Sequence, residues 1–282
     1  MDIKDLAGLE KPLTKLIEVV ADGIGVVYAN TVGVNAEVRR REKLAEVEQR
    51  VELMQIDTKI EAANRIRQRF LAQEIRRQQN IDRTVQEASE FLPESVSDTK
   101  PDPDWTTAFF NIAQDISSED MRTLWAKILA GEVAQPGTYS RRTLEILKNI
   151  SPQEAKNFQR LHSFIFGHYV VFKLGNESSS LSAFGVHHVD WKMMAEAQLV
   201  SSAEDHRITI AGGPSPWFNI GNRKIRFQSE SSSSGVIQIK QLTDAGAELS
   251  HLVTDTVANE AYLKALQDYY KKQGVIVSIE NL

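Results

Sequence analysis

Cysteine is absent from the 282 residues of this chain, which excludes disulfide bonds, thiolate zinc sites and cysteine nucleophiles. The sequence also lacks an apolar run long enough for a membrane-spanning helix. Its N-terminus carries Asp2, Asp5 and Glu10 rather than the basic lead of a signal peptide. The hydrophobic fraction of 41% is still sufficient for real cores. We therefore expect a soluble cytoplasmic protein.

Positive charge is in short supply. There are 33 Lys and Arg residues against 38 Asp and Glu residues, which gives a formal net charge of -5. A general electrostatic attraction to nucleic acid is therefore excluded, and any such contact needs a local basic patch.

Familiar catalytic and cofactor motifs are missing as well. The only adjacent histidines, His187-His188, point to different faces of any regular element, and His162 and His168 do not have the i, i+4 spacing of a helical zinc site. Gly212-Gly213-Pro214 lacks the lysine and the following helix of a phosphate-binding loop, and no G-x-S-x-G elbow is present. We expect a protein that is not an enzyme, with no catalytic residues, cofactor, metal site or evident small-molecule substrate.

The first part of the chain that stands out is an apolar, glycine-containing helical segment over residues 1–34. Small residues allow another helix to approach closely, so this segment predicts an oligomer interface. The alternative is a segment that lies on or enters a membrane, which would place the protein at the periphery of the inner membrane. The candidate contact residues share one helical face: Leu16, Ile17, Val20, Gly23, Ile24 and Val27.

Residues 35–92 contain neither glycine nor proline and predict a long charged helix or a helical hairpin. A fully helical segment of this length would extend on the order of 85 Å. Its apolar stripe is narrow and changes phase near Met54, as at a coiled-coil discontinuity or a bend. Such a helix is not stable alone in water, so we expect it either to self-associate or to pack along its own chain. Its arginine clusters are interpreted as a solvated face, with phosphate contact as the alternative.

Residues 93–104 are acidic, contain proline and predict a linker, with Asp104 as a helix N-cap. Residues 105–161 predict a helical core domain. Its first strong helix, from Glu119, is expected to loosen at Ala130-Gly131 before the break at Pro136-Gly137. Another helix opens at Ser151 with a capping box and proline at the first helical position.

One motif runs through this middle stretch. Its residues are Met121, Arg122, Leu124, Trp125, Ala126, Ile128, Leu129, Ala130, Gly131, Glu132, Pro136, Gly137, Ser140, Arg142, Thr143, Leu144, Ser151, Glu154 and Ala155. The motif resembles the signature of a bacterial family known as domain of unknown function 2806, and the N-terminus, from Gly8 to Gly25, resembles the same family. A looser similarity extends to helical abortive-infection proteins of bacterial antiviral systems. The family carries no assigned activity, so the resemblance implies the fold and a bacterial origin rather than a function.

Residues 162–282 predict an α+β domain. Strands are expected at 169–172, 207–210, 224–228, 236–242 and 275–279, with a short helix from Asp190 and a final helix over 256–273. The strands at 224–228 and 236–242 are interpreted as one hairpin with a serine-rich tip. A hairpin followed by the helix that opens at Leu242-Thr243 resembles the close of a winged helix-turn-helix domain. If that domain binds nucleic acid or phosphate, the candidate contacts are Arg141, Arg142, Arg223, Lys224 and Arg226.

Together these patterns predict a mainly α, α+β protein with a long N-terminal helical or coiled-coil arm, a helical middle and a winged-helix-like C-terminal domain. The leading hypothesis is a non-enzymatic, self-associating protein whose body binds a protein partner, with a role in antiviral or mobile-element conflict. Two alternatives remain open: a winged-helix DNA-binding protein, and a membrane-active effector that uses the N-terminal segment.

Overall fold

A computed structural model of the chain describes residues 10–24, 57–175, 180–203, 206–210, 213–229, 235–253 and 256–282. The chain divides into two units between Arg141 and Arg142. The units combine helices with small antiparallel sheets, so the predicted α+β class is confirmed. The helices that end near residues 149 and 161 are grouped with the C-terminal residues.

Unit 1 consists, in its described part, of four helices. They are α1 (Glu10–Ile24), α2 (Asp57–Glu90), α3 (Pro103–Ala113) and α4 (Glu119–Ala134). The predicted long helix is thus present over residues 57–90, while its first apolar seam, before residue 57, lies outside the described residues. At 1.5 Å per residue, α2 is about 51 Å long and α4 about 24 Å.

The main packing of unit 1 is that of α2 along α4. Ile81, Thr84 and Ala88 of α2 are buried. Glu87 forms an ion pair with Arg122 of α4 and accepts a hydrogen bond from the Thr123 hydroxyl at 3.1 Å. The C-terminal half of α2 is therefore stabilised by its own chain, which is one of the two outcomes that its narrow apolar stripe predicts.

The core of unit 1 is aromatic. The Trp105 and Phe109 rings stack at 5.2 Å, and Phe109 lies 5.3 Å from Trp125, which is fully buried. Trp125, Ile128 and Leu129 form the predicted apolar face of α4. This helix does not loosen at Ala130-Gly131 but runs to Ala134, because Ala130 and Val133 are also buried in the core.

Glu132 holds the turn that follows α4. This side chain is only 2% exposed. Its Oε1 accepts a hydrogen bond from the Gly137 backbone N–H at 2.6 Å, and its Oε2 accepts one from the Tyr139 N–H at 3.0 Å. The carboxylate thus satisfies backbone donors that the Pro136-Gly137 break leaves without helical partners.

The predicted linker is anchored to unit 1. Val96 and Pro101 are buried, and the Ser97 N–H donates to the Ala134 carbonyl at 2.8 Å. The N-cap of α3 is Asp102, not Asp104, and it accepts from the Trp105 N–H at 2.9 Å. Pro103 accounts for the shift, since proline fits the first helical position and lacks the N–H that a helix start leaves unpaired.

Unit 2 begins within a helix, α5 (Arg141–Asn149). The next helix has the predicted capping box at Ser151 and Glu154. The elements that follow are α6 (Pro152–Leu161), β1 (Val170–Phe172), α7 (His188–Glu196), β2 (His206–Ile210), β3 (Phe218–Ile220), β4 (Arg223–Ser229), β5 (Gly235–Gln241), α8 (Asp244–Ser250), α9 (Glu260–Lys271) and β6 (Val275–Asn281), with short 3-10 turns at His162–Phe164 and Ser182–Phe184.

Two three-stranded antiparallel sheets organise unit 2, in the orders β1-β5-β2 and β3-β4-β6. The predicted hairpin of residues 224–228 with 236–242 is wrong: β4 pairs with β3 and β6, whereas β5 pairs with β1 and β2. Apolar side chains lie opposite one another in each sheet: the buried Ile225 faces the half-buried Ile279, and the buried Ile237 faces the half-buried Ile208. Such non-local pairing is not visible in the local alternation of residues.

Helix α7 also differs from its prediction, because it starts at His188 rather than after an Asp190 cap. Asp190 is the third helical residue, and its Oδ2 accepts the His187 N–H at 2.7 Å. The same carboxylate lies 2.5 Å from Arg160 of α6. Asp190 therefore fixes the start of α7 and ties α6 to it, which explains why α6 belongs to unit 2.

The motif at residues 242–249 places α8 close to the backbone of Leu199. Thr243 is the N-cap; its hydroxyl donates to the Gln198 carbonyl at 2.6 Å and accepts the Gly246 N–H at 3.0 Å. A Cβ on Gly246 would lie 1.9 Å from the Leu199 carbonyl oxygen. Only glycine allows the backbone of α8 to approach the chain after α7 so closely.

Candidate nucleic-acid interface

Three of the five predicted cations, Arg223, Lys224 and Arg226, lie on β4, the middle strand of the β3-β4-β6 sheet. Side chains alternate between the two faces of a strand, so Lys224 and Arg226 share one face, while the neighbours Ile225 and Phe227 are fully buried on the other. The structure thus brings two of the five predicted cations together, and Arg223 precedes them on the same strand.

Trp217, just before β3, contacts both cations. The Lys224 Nζ lies 4.8 Å from the centre of the indole ring, and the Arg226 Cζ lies 4.7 Å from it. Such cation–π contacts contribute about 0.5–1 kcal/mol at exposed sites and more where water is excluded. We call Trp217, Lys224 and Arg226 the Trp217 cluster.

The cations of this sheet differ in how they are neutralised. Lys224 pairs with Glu280 at 3.1 Å. Arg223 pairs with Glu260 at 2.7 Å and also donates to Asn281. Among the described residues, no carboxylate pairs with Arg226, and its buried Nε has no hydrogen-bond partner. Arg226 is therefore the cation of the Trp217 cluster that no described carboxylate neutralises.

The other two predicted cations lie elsewhere, at the start of α5. The Arg141 guanidinium is 3.4 Å from Asp104 and its side chain is 61% exposed. Arg142 is exposed on the first turn of the same helix. These arginines are not part of the Trp217 cluster.

The candidate oligomer or membrane residues fall mainly inside unit 1. Leu16 and Val20 are buried where α1 packs against α3 and α4. Gly23 adjoins the Phe110 ring, Ile24 is half-buried and Ile17 is 43% exposed. Val27 lies outside the described residues. Among the helices of the described ranges, none is both long and apolar enough to cross a bilayer.

A histidine cluster in unit 2 was not foreseen from the sequence. The His168 and His251 rings stack at 4.0 Å, and His162 lies 6.0 Å from His168. The His162 ring contacts the Thr256 hydroxyl at 2.6 Å and the Ser250 carbonyl at 3.0 Å, and the His168 ring contacts the Ser250 hydroxyl at 2.7 Å. Because residues 162–168 and 250–256 meet only through the fold, their spacing along the chain gives no signal.

Burial dominates the electrostatics of this histidine cluster. It lowers the pKa of His168 to about 4, with a further contribution from His251 and His162. Burial likewise lowers the pKa of His162, although the hydrogen bond with the Ser250 backbone opposes that shift. No group of three or more His, Asp or Glu side chains within the described part of the chain is arranged to hold a metal ion. His162 and His168 thus combine a lowered pKa with hydrogen bonds to residues 250–256, which connects two distant segments of unit 2.

Trp217 is a further site residue that was not predicted, although the sequence around it is informative. A tryptophan that follows Pro214-Ser215-Pro216 and precedes three cations within ten residues combines a turn, an aromatic ring and local charge.

Comparison with known proteins supplies a family but no further relative. No curated protein and no solved structure matches the chain. The family described as Protein of unknown function (DUF2806) matches residues 64–267, more than two thirds of the sequence. That range contains the whole central signature, whereas the N-terminal resemblance lies before it. The chain therefore belongs to the family of proteins of unknown function DUF2806.

Proposed function

We propose that this chain is a non-enzymatic protein whose C-terminal unit contains a winged helix and binds nucleic acid through the Trp217 cluster. Support for the winged helix comes from element order. A helix, a strand, a second helix and two further strands occur in the order α6, β1, α7, β2 and β5, with β3 and β4 between the last two. The sheet order β1-β5-β2 places the last strand between the first two, as in winged helix-turn-helix domains.

In this interpretation β2 and β5 are the wing strands. They pair from His206 with Ile239 to Ile210 with Gly235. The segment between them, residues 211–234, is much longer than a hairpin turn and contains β3 and β4. The Trp217 cluster would then lie in an insertion within the wing.

Helix α7 takes the place of the recognition helix, yet it offers little for base-specific contact. It presents Val189, 59% exposed, and Lys192, whose side chain is 66% exposed and lies 3.8 Å from Glu196. We therefore propose that phosphate contact, not base reading, provides most of the affinity.

The main support for the proposal is that, among the described residues, no carboxylate pairs with Arg226. A guanidinium with no carboxylate partner can form paired hydrogen bonds with a phosphate. The indole that it contacts can stack on an unpaired base, which contributes about 1–3 kcal/mol per base in single-strand binding proteins.

Fluorescence anisotropy with labelled duplex and single-stranded oligonucleotides at low salt tests this function. We expect Arg226→Gln combined with Lys224→Gln to weaken binding about tenfold, in line with the value of charged hydrogen bonds. Lys264→Gln is the matched control, because Lys264 is exposed on α9 and has no contact with Trp217. Absent binding at low salt, or equal affinities of the double variant and the control, would overturn the proposal.

Self-association through the helical arm is the second candidate. Its support is the length of α2, which exceeds that of its main packing partner α4 by about 27 Å at 1.5 Å per residue. Toward its N-terminal end Arg65, Ile66 and Arg69 are exposed, with Ile66 at 47%. A second copy of α2 could cover this part of the helix.

Light scattering of the full chain tests the second candidate. We expect an oligomer that Ile66→Glu dissociates or weakens, because a buried carboxylate at the interface would be desolvated. Val257→Glu is the control, since Val257 is 69% exposed in unit 2. A monomer over the whole concentration range contradicts self-association.

A further inference from the structure

The β3-β4-β6 sheet has two faces of different character. Side chains alternate between the faces of a strand, and on β4 one face carries Phe227, which is fully buried. The Phe227 ring lies 5.6 Å from that of Tyr270 on α9 and 4.6 Å from that of Phe172 on β1. This is the core face of the sheet. Lys224 and Arg226 point to the opposite face, which we call the outer face.

The register of β4 with β6 identifies further residues of the outer face. Residues directly opposite one another in neighbouring strands point to the same face of a sheet. Ser278 lies opposite Arg226, and Ile276 lies opposite Gln228. Gln228 is exposed, and Ile276 is 43% exposed although it is apolar. The outer face therefore places an accessible apolar side chain and neutral polar groups around Arg226.

A β-bulge brings the indole of Trp217 onto the same face. Pro214 bridges to Gln228, and Phe218 pairs with Ile225. Three residues separate Pro214 from Phe218, whereas only two separate Ile225 from Gln228, so the segment before β3 contains one extra residue. Bulges of this kind change the direction of a side chain and are frequent next to functional sites. The ring of Trp217 contacts both cations of the Trp217 cluster and is only half-buried.

Charge divides the outer face into two parts. At one end Glu280 lies opposite Lys224 and forms an ion pair with it at 3.1 Å. At the other end the residue opposite Arg226 is Ser278, and no carboxylate of the described residues pairs with Arg226. This second part thus combines a cation, an indole ring and the exposed Ile276. A cation beside apolar surface is complementary to a phosphate that carries an unpaired base.

We infer that the outer face binds single-stranded nucleic acid in preference to a duplex, an inference that rests on the proposed nucleic-acid function. The major groove admits a helix or a two-stranded ribbon, whereas β4 is the middle strand of three. Its cations therefore reach only the phosphates of a duplex. In a single strand, a phosphate can bind Arg226 while an adjacent base stacks on Trp217 and another contacts Ile276. Sheet faces of RNA-binding modules stack two or three unpaired bases in a comparable way.

Fluorescence anisotropy of the full chain at low salt tests this preference. The probes are a labelled DNA strand of about twelve nucleotides and mixed sequence, and the same strand annealed to its complement. We expect the single strand to bind about tenfold more tightly, because only its bases can stack on the indole. We expect Trp217→Leu to weaken binding of the strand about tenfold and to change binding of the duplex less than about twofold.

A matched pair of variants at one position tests whether the strand lies on the outer face. Ile276→Glu and Ile276→Lys remove the same exposed side chain and differ only in the charge that they introduce. We expect Ile276→Glu to weaken binding of the strand about fivefold, because its carboxylate repels the phosphates, and Ile276→Lys not to weaken it. Thermal melting by circular dichroism verifies that all three variants are folded.

The outcomes separate this inference from the function on which it rests. Absent binding of both probes would overturn the proposed nucleic-acid function and the inference with it. A duplex that binds as tightly as the strand, or an equal loss for both probes in Trp217→Leu, would overturn the inference alone. Equal affinities of Ile276→Glu and Ile276→Lys for the strand would also overturn it, since the strand would then not lie on the outer face.

Discussion

At the scale of the residue, the histidine cluster makes the stability of unit 2 depend on pH. The pKa of His168 is lowered to about 4 in the folded chain, against about 6.5 in an unfolded one. The unfolded chain therefore binds more protons between these values, and folding stability falls as the pH decreases from about 6.5 to 4. Stability is fully retained above the unfolded pKa.

Replacing His168 by asparagine tests this pH dependence. Asparagine tolerates the positive φ of 67° at this position and can still bond the Ser250 hydroxyl. We expect the thermal midpoint of the natural chain to decrease more steeply between pH 7 and pH 4.5 than that of His168→Asn, as measured by circular dichroism. Parallel pH profiles of the two proteins would contradict a contribution from His168.

At the scale of the element, the contact of α8 with the Leu199 carbonyl gives a prediction with an unexpected sign. Alanine in a helix is favoured over glycine by about 1 kcal/mol, so propensity alone predicts that Gly246→Ala stabilises the protein. The carbonyl 1.9 Å from the new Cβ predicts the opposite. We expect a destabilisation of about 1–3 kcal/mol from overpacking, measured by urea unfolding. Gly213→Ala is the control, since a Cβ there meets no atom within 4 Å.

Elements whose signals are local could be predicted from the sequence, and pairings between distant elements could not. The capping box at Ser151 and the break at Pro136-Gly137 are set by neighbouring residues. The pairing of β5 with β2, by contrast, depends on strands separated by the segment 211–234, and local alternation does not encode partners. The same limit applies to the sites. Lys224 and Arg226 could be named as cations from the sequence, but the histidine cluster forms only when residues 162–168 and 250–256 meet in the fold.

At the scale of the whole molecule, charge is unevenly distributed. Residues 142–282 contain 14 Lys and Arg and 14 Asp and Glu, so the net charge of -5 belongs to residues 1–141. Residues 142–282 therefore carry no net positive charge, and nucleic-acid binding through the two cations of the Trp217 cluster would neutralise about two phosphates.

The salt dependence of the binding affinity measures how many phosphates are neutralised. With two phosphates neutralised, the logarithm of the affinity for duplex DNA should fall with the logarithm of salt concentration with a slope of about -2. Anisotropy titrations of the full chain over a series of salt concentrations give this slope. A value several times steeper would mean that many more cations take part, such as the arginines of α2, and that the cluster is not the main contact.

The pairing of β4 with β6 has a consequence for the order in which the chain folds during synthesis. The strands β1, β2 and β5 have all been made once residue 241 is added, so their sheet can close early. Strand β4 can pair with β3 at once, but its second partner, β6, is made later, from Val275 to Asn281, after α8 and α9. Since domains begin to fold while translation continues, the edge of β4 that faces β6 stays unpaired until residues 275–281 have been made, and the β3-β4-β6 sheet is completed among the last parts of the nascent protein.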